Sequence, residues 1–236
     1  MYMINKKKKV NLFTIVSLLI GVPLVLYISI KSFGRKKYLI PSFLILILSF
    51  IPFIMIFEKK KIRTREIVLI SAMSAIAVLG RVLFFFAPEI KATSAIVIIS
   101  GMTLGGQAGF FIGAISAFVS NFFFGQGSWT MWQMFAFGMI GALSGVVLKK
   151  KHNRIFVCLI GFLFVMIVYG GIVNFHSLVM FTSGITWDNI KSIYLLSIPF
   201  DFVHALSTAV FLWFLNKPFL EKISRIKEKY GMIELE

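Results

Sequence analysis

Charge, cysteine, histidine and proline are all scarce in these 236 residues, and each scarcity removes a class of protein. Only 14% of the chain is charged and 58% is hydrophobic, against about 25% charged in a soluble domain, so a soluble globular reading is excluded. Acids are rarest: 9 Asp and Glu face 25 Lys and Arg, a formal net charge of +16. That balance would suit nucleic acid if the cations formed one patch. They come instead in short runs between long apolar stretches, as they do beside membrane spans. The one cysteine, Cys158, lies in an apolar run, which rules out an intramolecular disulfide and a thiolate metal cluster. Histidines occur only at 152, 176 and 204, with no His-Glu-x-x-His pairing, so a helix-borne metalloprotease site is not expected. A Gly-x-x-x-x-Gly-Lys-Ser/Thr phosphate loop is also missing. No metal, cofactor or catalytic residue is expected, and if the chain pumps anything, the ATP-using motor is another protein.

What the chain has in abundance is long apolar runs. A helical span needs roughly 20 apolar residues to cross about 30 Å of hydrocarbon. Candidates lie at 11–30, 38–57, 67–87, 92–105, 108–124, 131–148, 155–175 and 192–215. The runs are continuous, not alternating, which makes a transmembrane barrel a poor alternative. The fold class is therefore an all-α polytopic membrane bundle. Cations at Lys59 to Arg65, Lys149 to Arg154 and Lys217 to Lys229 mark three cytoplasmic connections, whereas the opposite loops carry only Lys91 and Lys191. Six crossings between 67 and 215 satisfy this pattern, with both core ends cytoplasmic in a cell membrane. The domains expected are an accessory hydrophobic hairpin at 1–60, a six-helix core at 61–217 and a cytoplasmic tail at 218–236. A cytoplasmic start at Lys6 would put Lys31, Arg35, Lys36 and Lys37 outside, so a non-spanning first segment is the alternative to the hairpin. Residues 6–30 resemble a signal sequence, but the apolar part is long and no small-x-small site follows; they are read as retained.

Three groups of residues stand out. Gly101, Gly105, Gly109 and Gly113 recur every four residues, and Gly141 and Gly145 repeat the spacing; the first reading is tight helix packing inside the bundle. The stretch SNFFFGQGSWTMWQM, 120–134, gathers Asn121, Gln126, Trp129, Thr130, Trp132 and Gln133 near the expected outer boundary. An interfacial aromatic belt is one reading, and a site for a bulky ligand with apolar faces and hydrogen-bonding edges is the favoured one. Finally, Arg81, Asp201 and His204 are ionisable groups within apolar segments, where charge is expensive and has a partner or a task. A structural Arg81–Asp201 pair and ligand contact are weighted equally. Asn174, His176 and Trp187, on or near the last outer loop, are weaker candidates, with loop capping the simpler role.

The stretch AIVIISGMTLGGQAGFFIGAISAFVSNFFFGQGSWTMWQMFAFGMIGALSG, 95–145, with a cation-flanked helix ending in Arg81, resembles the S components of energy-coupling factor (ECF) vitamin transporters over roughly residues 60–217. Its SNFFFGQG and WQMFAFG elements are most similar to the cobalamin-specific branch, departing from it at Ser128 and Met131 where that branch has prolines. The resemblance implies a substrate-specificity subunit of an ECF-type importer that binds a vitamin at the outer face. The expected vitamin is cobalamin, with riboflavin the alternative. The partners implied are a membrane scaffold (T) subunit and two ATPase subunits. It also implies scaffold contact through small residues of the first core helix, here Ser71, Ala72 and Ala75. Substrate-binding residues expected on the combined reading are Arg81, Asn121, Gln126, Trp129, Trp132, Gln133, Asn174, His176, Asp201 and His204. The competing class is a membrane enzyme with a buried Arg81, Asp201 and His204 centre.

Overall fold

A computed structural model describes residues 64–148, 153–182 and 184–231, all within the unit Ile56–Glu236. The expected hairpin at 1–60 and Lys149 to Lys151 lie outside the described residues. The described secondary structure is entirely helical. It comprises α1 Thr64–Val82, α2 Thr93–Leu104, α3 Gly106–Phe124, α4 Trp129–Val147, α5 Arg154–Leu163, a π-helical turn Phe164–Tyr169, α6 Gly170–Phe181 and α7 Trp187–Tyr230. Helices α5 and α6 continue through the π turn as one 28-residue span. That span, α3, α4 and α7 are long and apolar enough to cross a membrane. With α1 and α2 they make a bundle of six helical segments among the described residues.

The chain order alternates direction, so the connections gather at two ends. One end carries 83–92, 125–128, 182 and 184–186 and is rich in Phe and Trp; we call it the aromatic end. The other carries Arg65, the α2–α3 turn, Arg154 and the cations of α7; we call it the basic end.

Helix α2 is the centre of the bundle. All twelve of its residues are buried, and at 1.5 Å per residue it is about 18 Å long, shorter than the hydrocarbon. It ends at Gly105, whose φ of 94° is open to glycine and strained for other residues. The chain therefore reverses at once into α3. Around this turn the glycine repeat lets backbones touch. A Cβ on Gly109 would lie 2.6 Å from Gly101 Cα and 2.6 Å from Gly141 O, and one on Gly141 would overlap Gly109 O. The packing reading of the repeat is what the structure shows: α2, α3 and α4 meet backbone to backbone. In lipid, where apolar side chains gain nothing by leaving the tails, such close approach is the available source of helix association.

Outward faces carry Val68, Leu79, Phe86, Phe122, Val146, Leu196 and Phe214, all exposed. In water so much apolar surface would aggregate; against lipid tails it is the expected covering.

Helix α7 differs most from its sequence reading. The apolar run ended at 215 and a tail was expected from 218, yet the helix runs 44 residues to Tyr230, through Pro199 and Pro218, and stops at left-handed Gly231. Its length of about 66 Å is twice the hydrocarbon thickness. The last turns cross the basic end, where Arg65 Nη1 donates to Tyr230 O (2.8 Å) and Lys227 Nζ donates to Thr103 O (2.9 Å). Leu220, Ile223 and Ile226 face the core there.

Candidate functional site

Polar side chains converge at the aromatic end in three neighbouring groups. The first is built on Arg81, in the last turn of α1 and 6% exposed. Its Nη1 donates to Ser120 Oγ (2.6 Å) and Asn121 Oδ1 (2.8 Å) on α3, and its Cζ sits 4.5 Å from the centroid of Phe124. Asn121 is braced in turn by α4, donating to Gln133 Oε1 (2.9 Å) and Thr130 Oγ1 (3.3 Å). Thr130 donates to Gln126 Oε1 (2.8 Å) and accepts from Gly127 N (3.1 Å). So the 120–134 stretch is not one loop. It forms the last turn of α3, a four-residue bend, and the first turns of α4, and its amides are occupied in holding Arg81.

The second group is organised by the 83–92 connection. Glu89, in the left-handed region at φ 61°, forms a 2.9 Å ion pair with Lys91 and accepts from Ser207 Oγ through its carbonyl (3.3 Å). Burial pushes the Lys91 ammonium down from its ordinary value, and the adjacent Glu89 carboxylate acts against that shift. His204 on α7 is buried, with Nε2 2.7 Å from Ser94 Oγ on α2 and Nδ1 3.9 Å from Glu89 Oε2. That Nδ1 is sealed without a hydrogen-bond partner. Tyr169, turned inward by the π segment, packs edge-on to His204 at 4.7 Å and tilted on Phe137 at 4.6 Å. Such turns insert an extra residue and recur at functional sites.

The third group lines a recess of ≈ 630 Å³ between α6 and α7. Asn174 Nδ2 donates to Asp201 Oδ2 (2.7 Å), and the Asp201 carboxylate lies against Gly170, where any side chain would displace it. Tyr194 OH donates to Gly171 O (2.9 Å), and Lys191 completes the polar part of the wall. The remainder is aliphatic, including Met166, Ile167 and Ile198.

Of the residues expected from sequence, Arg81, Asn121, Gln126 and Gln133 form one network, whereas Asn174 and Asp201 belong to the recess. Trp132 is buried against Phe175 and His176, each at 5.9 Å, and His176 Nε2 is 3.1 Å from Ser128 Oγ. Trp129 is 37% exposed and its indole N–H donates to Gly125 O (3.3 Å), closing the bend. Asn174 and His176 are buried helix residues rather than loop caps, and Trp187 opens α7 in an exposed position. Arg81 and Asp201 do not pair: the guanidinium bonds Ser120 and Asn121, the carboxylate Asn174. Nor do Arg81, Asp201 and His204 bond to one another, as a shared centre would require. Sequence reasoning missed Glu89, Lys91, Ser94 and Tyr169. Two signals pointed to three of them, an acid and a base two residues apart after Pro88 and a tyrosine preceding Gly170-Gly171 inside an apolar run; Ser94 carries none.

Fold and site together define a polytopic membrane protein with a small-molecule-sized, mainly aliphatic recess and buried polar clusters at one end. A family model described as the ECF-type riboflavin transporter S component matches residues 61–219, two thirds of the chain, and the protein belongs to that family. It is thus a vitamin-transport subunit and not an enzyme, and membership implies scaffold and ATPase partners. No curated protein matches the chain, and no solved structure does.

Proposed function

We propose that this chain captures riboflavin at the aromatic end and, with a scaffold subunit and two ATPases, delivers it across the cell membrane. The observation that carries the choice of vitamin is the recess. At ≈ 630 Å³ it lies inside the 300–1,000 Å³ usual for drug-sized ligands. It suits a flavin better than a corrin, which is several times larger. A flavin ring has an apolar dimethylbenzene end and an imide edge that both donates and accepts. The aliphatic wall suits the first. Asp201 and the free oxygen of Asn174 suit the imide N–H, and Lys191 suits a ring carbonyl. The matched family's description supports the same vitamin, whereas the amides of 120–134, the basis for expecting cobalamin, are engaged with Arg81 and with each other.

The aromatic end faces outward on this reading, because Arg65, Arg154 and the cations from Lys217 to Lys229 crowd the other end. Ser71, Ala72 and Ala75 are exposed on α1 and supply the smooth face the scaffold packs against.

Titrating riboflavin fluorescence with the purified protein tests the proposal. Saturable quenching is expected, weakened roughly tenfold or more by Asn174→Leu and by Asp201→Asn, since a hydrogen bond to a charged group is worth about 1.5–3 kcal/mol and 1.4 kcal/mol is tenfold. Unchanged affinity in both variants removes the site from the recess. Cobalamin binding without riboflavin binding replaces the vitamin.

A further inference from the structure

Helix α6 opens with two glycines, and packing accounts for only the first. A Cβ on Gly170 would stand 2.9 Å from the Asp201 carboxylate, so glycine is what lets that side chain seat. A Cβ on Gly171 would meet nothing within 4 Å, and its φ is not positive. Every other glycine described inside a helix would meet a neighbour at 2.9 Å or less. Close approach and backbone conformation therefore both fail to explain Gly171. Yet glycine in the middle of a continuous helical span costs stability relative to alanine. What position 171 does face is the recess, of which Gly171 is a lining residue.

Its surroundings give that bare position a task. Asn174, three residues on, shares its helix face and donates to Asp201 Oδ2 (2.7 Å). From the opposite wall Tyr194 OH donates to Gly171 O (2.9 Å), which ties α7 to α6 at this point and fixes the width between them. A ligand whose polar edge reaches Asn174 and Asp201 lies over the neighbouring strip of backbone, where there is room because no side chain is present. A flexible chain can bend round a methyl group there. A rigid ring cannot.

We infer that Gly171 is the specificity-determining residue of the recess. Its missing side chain leaves a slot for a planar fused ring, whose hydrogen-bonding edge sits at Asn174 and Asp201. The inference rests on the vitamin-capture reading and deepens it, by naming what admits the ring.

The test is fluorescence titration of the detergent-purified full chain as wild type, Gly171→Ala and Gly171→Leu. The ligands are riboflavin and lumichrome, which keeps a fused tricyclic ring and lacks the ribityl chain. Melting temperatures without ligand are measured alongside, because a packing role for Gly171 would lower them, whereas a slot leaves both variants at or above wild type. Gly171→Ala should bind riboflavin about tenfold more weakly, one methyl of overpacking. Gly171→Leu should show no saturable binding, and lumichrome should lose by the same factors. Gly171→Ala decides if Gly171→Leu does not fold. A loss smaller than tenfold in Gly171→Leu, or smaller than threefold in Gly171→Ala where that variant decides, overturns the inference and leaves riboflavin capture standing. So does a Gly171→Ala protein that melts below wild type. A loss for riboflavin alone puts the ribityl chain at Gly171 in place of the ring and also overturns it. Wild type that binds neither flavin ends the capture reading, and the slot falls with it.

Discussion

Replacing Gly109 by alanine tests the backbone contact on which the bundle is built. The new methyl would stand 2.6 Å from both Gly101 Cα and Gly141 O, about 0.8 Å inside the 3.4 Å where ordinary contact begins. The obstructing atoms are backbone on two different helices, so no side chain can swing away. Helix α3 must retreat, and a gap of 0.5–1 Å forfeits a quarter to a half of each dispersion contact along it. Overpacking of this kind costs about 1–3 kcal/mol, and backbone on both sides puts it near the upper figure. Gly171→Ala is the matched control, since nothing lies within 4 Å of a Cβ there. Both changes gain the same helix propensity of roughly 0.5–1 kcal/mol, which cancels between them and leaves about 3 kcal/mol of difference. At about 2–4 °C per kcal/mol for a chain of this size, the Gly109 variant should melt roughly 6–12 °C below the Gly171 variant by tryptophan fluorescence in detergent. Equal melting temperatures would refute the contact.

Other perturbations follow from the site. Asn121→Ala removes the brace on Arg81 and should destabilise the protein by about 2 kcal/mol, the worth of a hydrogen bond to a charged group; an unchanged melting temperature would show that Arg81 is held by other means. Lys91 loses its proton below the ordinary 10.5, so between its folded value and 10.5 the unfolded chain binds more protons and stability rises with pH. The melting temperature of wild type relative to Lys91→Met should therefore rise as the pH is raised toward 10.5, and a fall would contradict the buried placement. Ala72→Trp should leave vitamin affinity unchanged and abolish co-purification with the scaffold subunit, and an intact complex would put the docking face elsewhere.

Among the described residues, the helical segments and the tight packing were legible because both are written in composition: long apolar runs and glycines four apart. What hydropathy could not show is where helices continue through polar residues. Asn174 and His176 looked like loop residues, yet the span runs on to Phe181 because both are bonded inside the bundle. Past Pro218, α7 persists because Leu220, Ile223 and Ile226 find core to cover, a pattern hidden among lysines. The site was half legible. Arg81, Asp201 and His204 were visible as charges out of place, but their partners depend on three-dimensional neighbours, so a pair that sequence allowed proved absent. The π turn that aims Tyr169 inward, and the recess between α6 and α7, leave no mark on residue spacing.

The most direct test of the central claim is uptake of radiolabelled riboflavin by cells lacking their own flavin importer. They would express this chain alone, the scaffold and ATPase subunits alone, or all together. ATP-dependent accumulation only with the full set, reduced by Asn174→Leu, is the predicted result. Accumulation by this chain alone, or none with the assembled complex, would contradict it.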